Sequence, residues 1–232
     1  MKQSQFLGLL AIILTVLGAA GCKSTTTLAA NPQFRVMNAS VQQPTITVKL
    51  GATTLAANLA FPTASAYASP APGGYTLHVE VGTSLTPTTL INLPLVLQPG
   101  ASYTFIAAEA AFASPALTPI LLTDDNTRPA SGQMKLRLVN ASPDIGNLDI
   151  YVVAPGASIQ NKTPTVSNLA FKSASDYQSL AGGNYEIYFT AAGQKTVLVD
   201  SGKLSFQSGQ IRTVVALDDT GGYITSVLTD LH

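Results

Sequence analysis

The chain has 232 residues, of which 46% are hydrophobic and only 10% are charged, and its formal net charge is zero. A chain of this length can bury one large core or two modest ones. Its balanced charge argues against binding to nucleic acid or to anionic lipid headgroups, and low charge without any Trp is more typical of an exported all-β protein than of a cytosolic enzyme.

The first 21 residues predict a signal peptide of the lipoprotein type. Lys2 makes the amino terminus positive, residues 6–17 form an apolar run, and the small residues 18–21 precede Cys22, the only cysteine. The run is too short for a comfortable membrane span, which needs about 20 apolar residues. The arrangement resembles the lipobox of bacterial lipoproteins, although Ala19 stands where Leu is commoner. This resemblance implies cleavage before Cys22, a diacylglyceryl group on its sulfur, and a fatty acyl chain such as palmitate on the new amino terminus.

Ordinary signal-peptidase cleavage after Ala20, with a free thiol on Cys22, stays open as the alternative. Two or three acyl chains are enough for stable anchoring in a membrane. Lys23 rather than Asp follows the cysteine, and under the enterobacterial sorting rule this favours the outer membrane in a host with two membranes. Residues 22–33 are predicted to be a flexible tether that reaches up to about 40 Å.

Residues 34–125 are predicted to form a first β-sandwich. Apolar and polar residues alternate along several short segments, which is the mark of strands with one buried face. These segments are residues 45–50, 75–81, 93–97 and 103–107. The last two are joined by Gln-Pro-Gly-Ala at residues 98–101, which predicts a hairpin turn. Residues 126–133, which include Pro129 and Gly132, are predicted to be a linker.

Residues 134–232 repeat the first unit and are predicted to form a second sandwich. The decapeptide NLAFPTASAY at residues 58–67 returns as NLAFKSASDY at residues 168–177, with seven of ten positions identical. Shorter matches flank it in the same order: 34–40 with 136–142, 73–75 with 183–185, and 122–124 with 228–230. The sequence therefore predicts an all-β protein with two tandem antiparallel β-sandwich domains of the immunoglobulin-like type, after a signal peptide and a short tether.

The second unit carries the residues of a known family. Val-Asn-Ala-Ser-Pro-Asp at 139–144, the decapeptide at 168–177 and Gly-x-Tyr at 183–185 resemble the bacterial domain-of-unknown-function family 4397. The first unit departs from this pattern at residues 39–42, where it has Ala-Ser-Val-Gln. The resemblance covers residues 34–231 and implies tandem domains of an exported protein or lipoprotein. It implies no catalytic residues, because the family has no established activity.

The decapeptide itself is predicted to be a determinant of the fold. Its tyrosines, Tyr67 and Tyr177, are expected to pack their rings and to donate a hydrogen bond to a backbone carbonyl, as the tyrosine corner of other sandwiches does. Stacking on a sugar ring is the alternative. Asn38 and Asn140, in the repeated Asn-Ala-Ser, are expected to cap turns at strand ends.

Few residues are suited to catalysis or metal binding. A metal site or a Ser-His-Asp triad would have to use His78, which is predicted to lie solvated on a strand, or His232. No catalytic residue, cofactor or metal is predicted. Oxygen ligands of the kind that calcium prefers occur near turns, and whether calcium binds at Asp144 and Asp149 or at Asp218 and Asp219 stays open.

The two repeats differ on the outward face of one pair of strands. Lys49 and His78 in the first repeat are replaced by Tyr151 and Tyr188 in the second. We expect Tyr151 and Tyr188 to belong to a contact surface for the first domain, another protein or a glycan.

The sequence thus predicts a lipid-anchored cell-envelope protein with a non-catalytic binding or structural role. Its expected partners are the membrane, through Cys22, and an envelope protein or glycan. A carbohydrate-binding module and an envelope hydrolase with an unrecognised site are the alternatives.

Overall fold

The computed structural model describes residues 30–83, 85–111 and 114–230, and all regular structure in them is β-strand. The first sandwich contains β1 Gln33–Ala39, β2 Thr45–Leu50, β3 Thr53–Ala60, β4 Gly73–Thr83, β5 Thr86–Leu97, β6 Ser102–Glu109 and β7 Leu117–Asp124. The second contains β8 Gln133–Asn140, β9 Leu148–Val153, β10 Val166–Leu169, β11 Gln178–Ala181, β12 Gly183–Ala191, β13 Val197–Phe206, β14 Ile211–Asp219 and β15 Gly222–Thr229. Within these ranges no helix is long and apolar enough to cross a membrane.

Each sandwich consists of two sheets. The strand orders are β1-β6-β7 and β3-β2-β4-β5 in the first sandwich, and β11-β8-β14-β15 and β10-β9-β12-β13 in the second. The prediction of two tandem immunoglobulin-like sandwiches is confirmed. One feature was not predicted: β1 pairs with β6, and β8 with β14, in parallel, whereas the other pairs are antiparallel.

Each sandwich buries its own core between its two sheets. The larger side chains of the first core are Phe34, Val36, Ile46, Val48, Leu77, Val79, Leu95, Leu97 and Phe105. Those of the second are Met134, Leu136, Leu138, Leu148, Ile150, Ile187, Phe189, Val199 and Phe206. Burying one such side chain contributes roughly 1.5–3 kcal/mol, so either unit has the core of a domain.

The predicted hairpin at residues 98–101 is wrong. The turn exists, but β5 and β6 belong to different sheets, so the turn carries the chain from one sheet to the other. Leu95 and Leu97 of β5 face the same core as Tyr103 and Phe105 of β6. Two strands that bury their apolar faces against each other must lie in opposite sheets.

A third apolar cluster joins the two sandwiches. It lies between sheet β1-β6-β7 of the first and sheet β11-β8-β14-β15 of the second, and we call this contact the seam. Its buried side chains are Met37, Ala39, Ile106, Ala108, Ile120 and Leu122 from the first repeat and Val139, Ala141, Val215, Leu217 and Leu228 from the second. Strand alternation explains how one sheet can contribute to both clusters, because Phe34 and Val36 of β1 face the first core while Met37 faces the seam.

Candidate functional site

The repeated polar residues meet at one end of the seam. Arg35 lies on β1 and Arg137 occupies the equivalent position on β8, as the repeated segments 34–40 and 136–142 require. Asp124 ends β7 and Asp230 follows β15, again at equivalent positions. All four side chains are at least 93% buried. Charges buried to this extent must be paired and hydrogen-bonded.

Arg35 of the first repeat binds the second repeat. Its Nη2 forms a salt bridge with Asp230, and its Nη1 donates to the carbonyl oxygen of Thr229 at 2.7 Å. Its Nε donates to Thr104 Oγ1 of its own repeat at 2.9 Å. The guanidinium is thus positioned from one repeat and neutralised by the other.

Arg137 of the second repeat makes the same contacts in the opposite direction. Its Nη2 lies 2.6 Å from Asp124 Oδ1, its Nη1 donates to the carbonyl oxygen of Thr123 at 3.1 Å, and its Nε donates to Thr213 Oγ1 at 3.1 Å. Arg137 Nη2 also lies 3.8 Å from Asp230 Oδ2, which joins the two ion pairs into one network.

The decapeptide tyrosines complete this network. Tyr67 donates its hydroxyl to Asp124 Oδ2 at 2.8 Å, and Tyr177 donates to Asp230 Oδ2 at 2.7 Å. Each ring lies against the arginine of its own repeat, with the guanidinium carbon 4.7 Å from the ring centroid in both, a favourable cation–π distance. The prediction of a backbone carbonyl acceptor is wrong, because both acceptors are carboxylates of the same repeat as the tyrosine.

The tyrosines act here as neutral donors. Burial raises the pKa of both hydroxyls well above the usual range, and the neighbouring carboxylates raise it further. Each of the two seam carboxylates, Asp124 and Asp230, accepts hydrogen bonds from an arginine, a tyrosine and a threonine. The threonine is Thr104 for Asp124 and Thr213 for Asp230. A buried ion pair satisfied in this way is strongly destabilised when one partner is removed.

A carboxylate of each repeat lies at the opposite end of the sandwich, where β6 and β14 end. Ser40 Oγ donates to Glu109 Oε1 at 3.2 Å, and Ser142 donates to the equivalent Asp218. The serines are positioned by the repeated Asn-Ala-Ser turns. In the first of these, the Ser40 amide donates to Asn38 Oδ1 at 3.1 Å, and Asn140 makes the same turn in the second repeat, so the predicted turn capping is confirmed.

Asp218 is perturbed by its surroundings. Its pKa is raised to about 6, mainly by burial, with the charges of Asp144 and Glu109 acting in the same direction and the hydrogen bond from Ser142 acting against them. One oxygen each of Asp218 and Glu109 is buried and lacks a hydrogen-bond partner among the described residues. The folded protein therefore binds a proton at Asp218 more tightly than the unfolded chain does.

Replacing Asp218 by Asn is expected to weaken the pH dependence of stability between pH 4 and 7. The pKa of Asp218 is about 6 in the folded protein against an ordinary value of 3.8, so the folded state binds this proton more tightly and stability falls as pH rises through that window. The wild-type melting temperature should be higher at pH 5 than at pH 7, by on the order of 2–4 °C for each kcal/mol contributed. Thermal unfolding of the wild type and of Asp218→Asn at pH 5 and pH 7 measures this difference in melting temperature.

The neighbouring Asp219 provides the control for this experiment, because its Oδ1 accepts only a local bond from the Thr220 amide. Asp219→Asn should keep the wild-type difference between the two pH values. Asp125 does not interfere, because hydrogen bonds from Lys135 and Thr127 lower its pKa to about 2, below the window. An Asp218→Asn variant with the full wild-type pH dependence would contradict this assignment.

Asp144 and Asp149, one of the two pairs at which calcium binding stays open, have different surroundings. Asp149 lies at the start of β9, where its two oxygens accept backbone bonds from Asn168 and Gly193, whereas Asp144 lies close to Asp218. In the described part of the chain, no three or more His, Cys or acidic side chains are grouped so that they could hold a metal ion.

Tyr151 is not on an exposed surface, so the predicted contact surface is wrong for this residue. Its side chain is 1% exposed and packs with Ile159 beneath the segment between β9 and β10. Its hydroxyl accepts a hydrogen bond from Lys195 Nζ at 2.9 Å. Tyr188 pairs with Tyr151 across the sheet and is half-buried, and a hydrogen bond with Glu186 raises its pKa to about 12.

Tyr151 is buried because the connection between its strand and the next strand is longer in the second repeat than in the first. In the first repeat, β2 and β3 are joined by two residues, whereas residues 154–165 join β9 and β10 and cover the tyrosines.

His78 lies half-buried on β4, opposite Lys49 of β2. Cys22 and His232 lie outside the described residues.

Two clefts flank the seam at equivalent places. The first, of about 440 Å³, is lined by Arg137, residues 174–177 of the second decapeptide, and Leu122, Thr123 and Asp125. The second, of about 460 Å³, is lined by Arg35, residues 62–67 around the first decapeptide, and residues 226–229. Each cleft therefore has one wall from each repeat.

A family model described as "Domain of unknown function (DUF4397)" matches residues 32–151 and 155–232. No curated protein matches the chain.

Proposed function

The chain belongs to the DUF4397 family, and on that premise we propose that it is a lipid-anchored protein of the bacterial cell envelope in which two sandwiches form one rigid, non-catalytic unit. Its role is to bind or space other components of the envelope, with an envelope protein or a glycan as the partner. The outer membrane is the expected site in a host with two membranes.

The proposal rests on how the side chains shared by the two repeats are bonded. The arginines, aspartates and decapeptide tyrosines shared by the two repeats are bonded to one another across the seam. Side chains that are buried and already hydrogen-bonded are unavailable for acid–base chemistry on a substrate, because a general acid or base must reach the proton it transfers. The duplicated motif therefore supports a structural role.

The path of the chain fixes which end of the first sandwich the proposed tether joins. The carbonyl oxygen of Ala30 accepts from the Gly100 amide at 2.6 Å, and Gln33 donates to Ala101, so the tether enters at the end of the sandwich where β6 begins. Arg35 and Asp230 lie at this same end. The turns that follow β1, β6, β8 and β14 lie at the opposite end, and in an anchored protein they face away from the membrane.

Replacing Cys22 by Ser is expected to release the protein from the membrane fraction. The substitution removes the sulfur that would carry the diacylglyceryl group, and without two or more acyl chains stable anchoring is lost. Immunoblotting of soluble and membrane fractions from cells measures the result. Ser24→Ala, which leaves the cysteine intact, is the matched control. Retention of the Cys22→Ser variant in the membrane at the wild-type level would refute the anchor.

A further inference from the structure

The first sandwich has a polar cleft on the outer face of one of its sheets, and we infer that this cleft binds a neutral saccharide carrying an acetamido (N-acetyl) group. The inference rests on the proposed function, because it takes the glycan as the partner. It adds the place where the glycan binds and the chemical group that is recognised.

The cleft lies on sheet β3-β2-β4-β5, at the end of the sandwich away from the tether, where β2 begins and β4 ends. Its volume of about 460 Å³ is in the range of about 300–1,000 Å³ that is typical of small-molecule sites. Its polar centre consists of Thr47 and Lys49 on β2 and Glu80 on β4. Its sides are formed by Ala57 and Asn58 of β3 and by residues 81–83 and Pro87 of the β4–β5 hairpin.

The equivalent place in the second repeat shows what these positions bind. Asp149 and Thr190 pair across β9 and β12 as Thr47 and Glu80 pair across β2 and β4. The Gly193 amide donates to Asp149 Oδ2 at 2.8 Å, and the Thr190 hydroxyl donates to the carbonyl oxygen of Gln194 at 3.0 Å. A carboxylate and a hydroxyl on neighbouring strands thus hold one N–H group and one C=O group of the chain's own β12–β13 turn.

The first repeat has the same two groups, with their strands exchanged, but its hairpin leaves them open. The pairing of β4 with β5 continues to Thr83 and Thr86, whereas that of β12 with β13 ends at Thr190, so only the second turn can fold back over the sheet. As a result the Glu80 side chain is 15% exposed, whereas Thr190 is completely buried.

An acetamido group supplies the N–H and the C=O that the second repeat takes from its own turn. Its N–H can donate to the Glu80 carboxylate, and its C=O can accept from the Thr47 hydroxyl. The oxygen of that hydroxyl already accepts from the Asn58 amide at 3.3 Å, which leaves its hydrogen for a ligand.

The charges of the cleft favour a neutral ligand. Lys49 Nζ lies 2.7 Å from Glu80 Oε2, so the two charges balance each other. An anionic or cationic ligand would have to compete with this ion pair, whereas a neutral ligand can use the second carboxylate oxygen and leave the pair intact.

The lining favours a saccharide over a polypeptide, which also presents N–H and C=O groups. Among the lining residues that the structure describes there is no aromatic side chain and no arginine, the residues that most often anchor protein interfaces. The hydroxyl of Thr54, the amide of Asn58 and the ammonium of Lys49 are instead suited to the hydroxyl groups of a sugar.

Two trisaccharides test the recognised group on the wild-type protein. Triacetylchitotriose carries an acetamido group on every ring, whereas cellotriose has a hydroxyl at those positions and is otherwise the same. The full chain in detergent is titrated with each, and ligand-observed NMR gives the dissociation constants. We expect triacetylchitotriose to bind at least tenfold more tightly, because only its acetamido group makes both hydrogen bonds. Equal affinity for the two sugars, or no binding of either, overturns the inference.

Two variants test the position of the site. Thr47→Val and Glu80→Ala should each raise the dissociation constant of triacetylchitotriose about tenfold, because each removes one of the two hydrogen bonds to the acetamido group. Thr76→Val is the matched control, because Thr76 lies on the same face of β4 but outside the cleft, and it should stay within twofold of wild type. Unchanged binding by both cleft variants overturns the inference.

A blocked peptide with the sequence of residues 191–196 distinguishes a polypeptide partner. Tighter binding of this peptide than of triacetylchitotriose would make the partner a protein and would overturn the saccharide. The anchoring proposal is tested separately by the fractionation of Cys22→Ser, so a failure of sugar binding while that variant leaves the membrane refutes the cleft assignment alone.

Discussion

Arg137→Ala is expected to lower the free energy of unfolding by about 3–5 kcal/mol, the range typical of breaking a buried ion pair. The guanidinium of Arg137 lies 2.6 Å from Asp124 and 3.8 Å from Asp230, and both carboxylates are buried. Its removal leaves Asp124 with only the bonds from Tyr67 and Thr104. Equilibrium unfolding in urea, followed by circular dichroism, measures the loss.

Two comparisons sharpen this result. Arg35→Ala should cost less than Arg137→Ala, because Asp230 keeps Arg137 within 3.8 Å, whereas Asp124 keeps no cation. Arg128 is exposed in the linker, so Arg128→Ala should change stability by less than about 0.5 kcal/mol. Equal and small effects of Arg137→Ala and Arg128→Ala would show that the seam ion pairs contribute little.

Tyr177→Phe is expected to lower the free energy of unfolding by about 1–3 kcal/mol, because it removes a donor from a buried carboxylate without removing the ring. The lost bond is the 2.7 Å contact of the Tyr177 hydroxyl with Asp230 Oδ2. The ring of Phe still lies over Arg137, so packing and most of the cation–π contact remain. The same urea unfolding experiment measures the change.

Tyr185 gives a matched control for this substitution. Its hydroxyl donates to the carbonyl oxygen of Ala181 at 2.7 Å, but in an exposed setting where water replaces the bond. Tyr185→Phe should therefore be nearly neutral. If Tyr177→Phe and Tyr185→Phe are equally mild, the decapeptide tyrosine does not support Asp230 as described.

The architecture could be predicted because it depends on periodicity and duplication. Alternation along residues 45–50 and 75–81 places one face of each strand in a core, and β2 and β4 are found there. The recurrence of the decapeptide in the same order fixed the number of domains. Local alternation does not say which sheet a strand joins, so the sequence alone cannot distinguish the turn at residues 98–101 from a hairpin.

The seam was missed because its evidence is split between the repeats. Arg35 and Asp230 are 195 positions apart, and each looks like an ordinary residue at the end of a strand. The available signal was the repetition itself: the arginine of 34–40 and the aspartate of 122–124 return in 136–142 and 228–230. Opposite charges that are duplicated together, on strands with few other charges, indicate reciprocal pairing.

The burial of Tyr151 could not be predicted from its strand alone. Alternation correctly puts Tyr151 on the face of β9 opposite the core, and such a face is exposed to solvent unless another segment covers it. That face is covered by residues 154–165, a segment that has no counterpart in the first repeat and no periodicity that would indicate where it packs. For the decapeptide tyrosines, the sequence predicts the structural role correctly. Only the hydrogen-bond acceptor differs, because it is a carboxylate rather than a backbone carbonyl.

The central claim is that the reciprocal ion pairs hold the two sandwiches together as one unit, and differential scanning calorimetry tests it most directly. The wild-type chain should unfold in a single cooperative transition whose calorimetric and van't Hoff enthalpies agree. In the chain carrying both Arg35→Ala and Arg137→Ala, the transition should split into two or its van't Hoff enthalpy should fall below the calorimetric value. Two independent transitions in the wild-type chain, unchanged by the double substitution, would contradict the account.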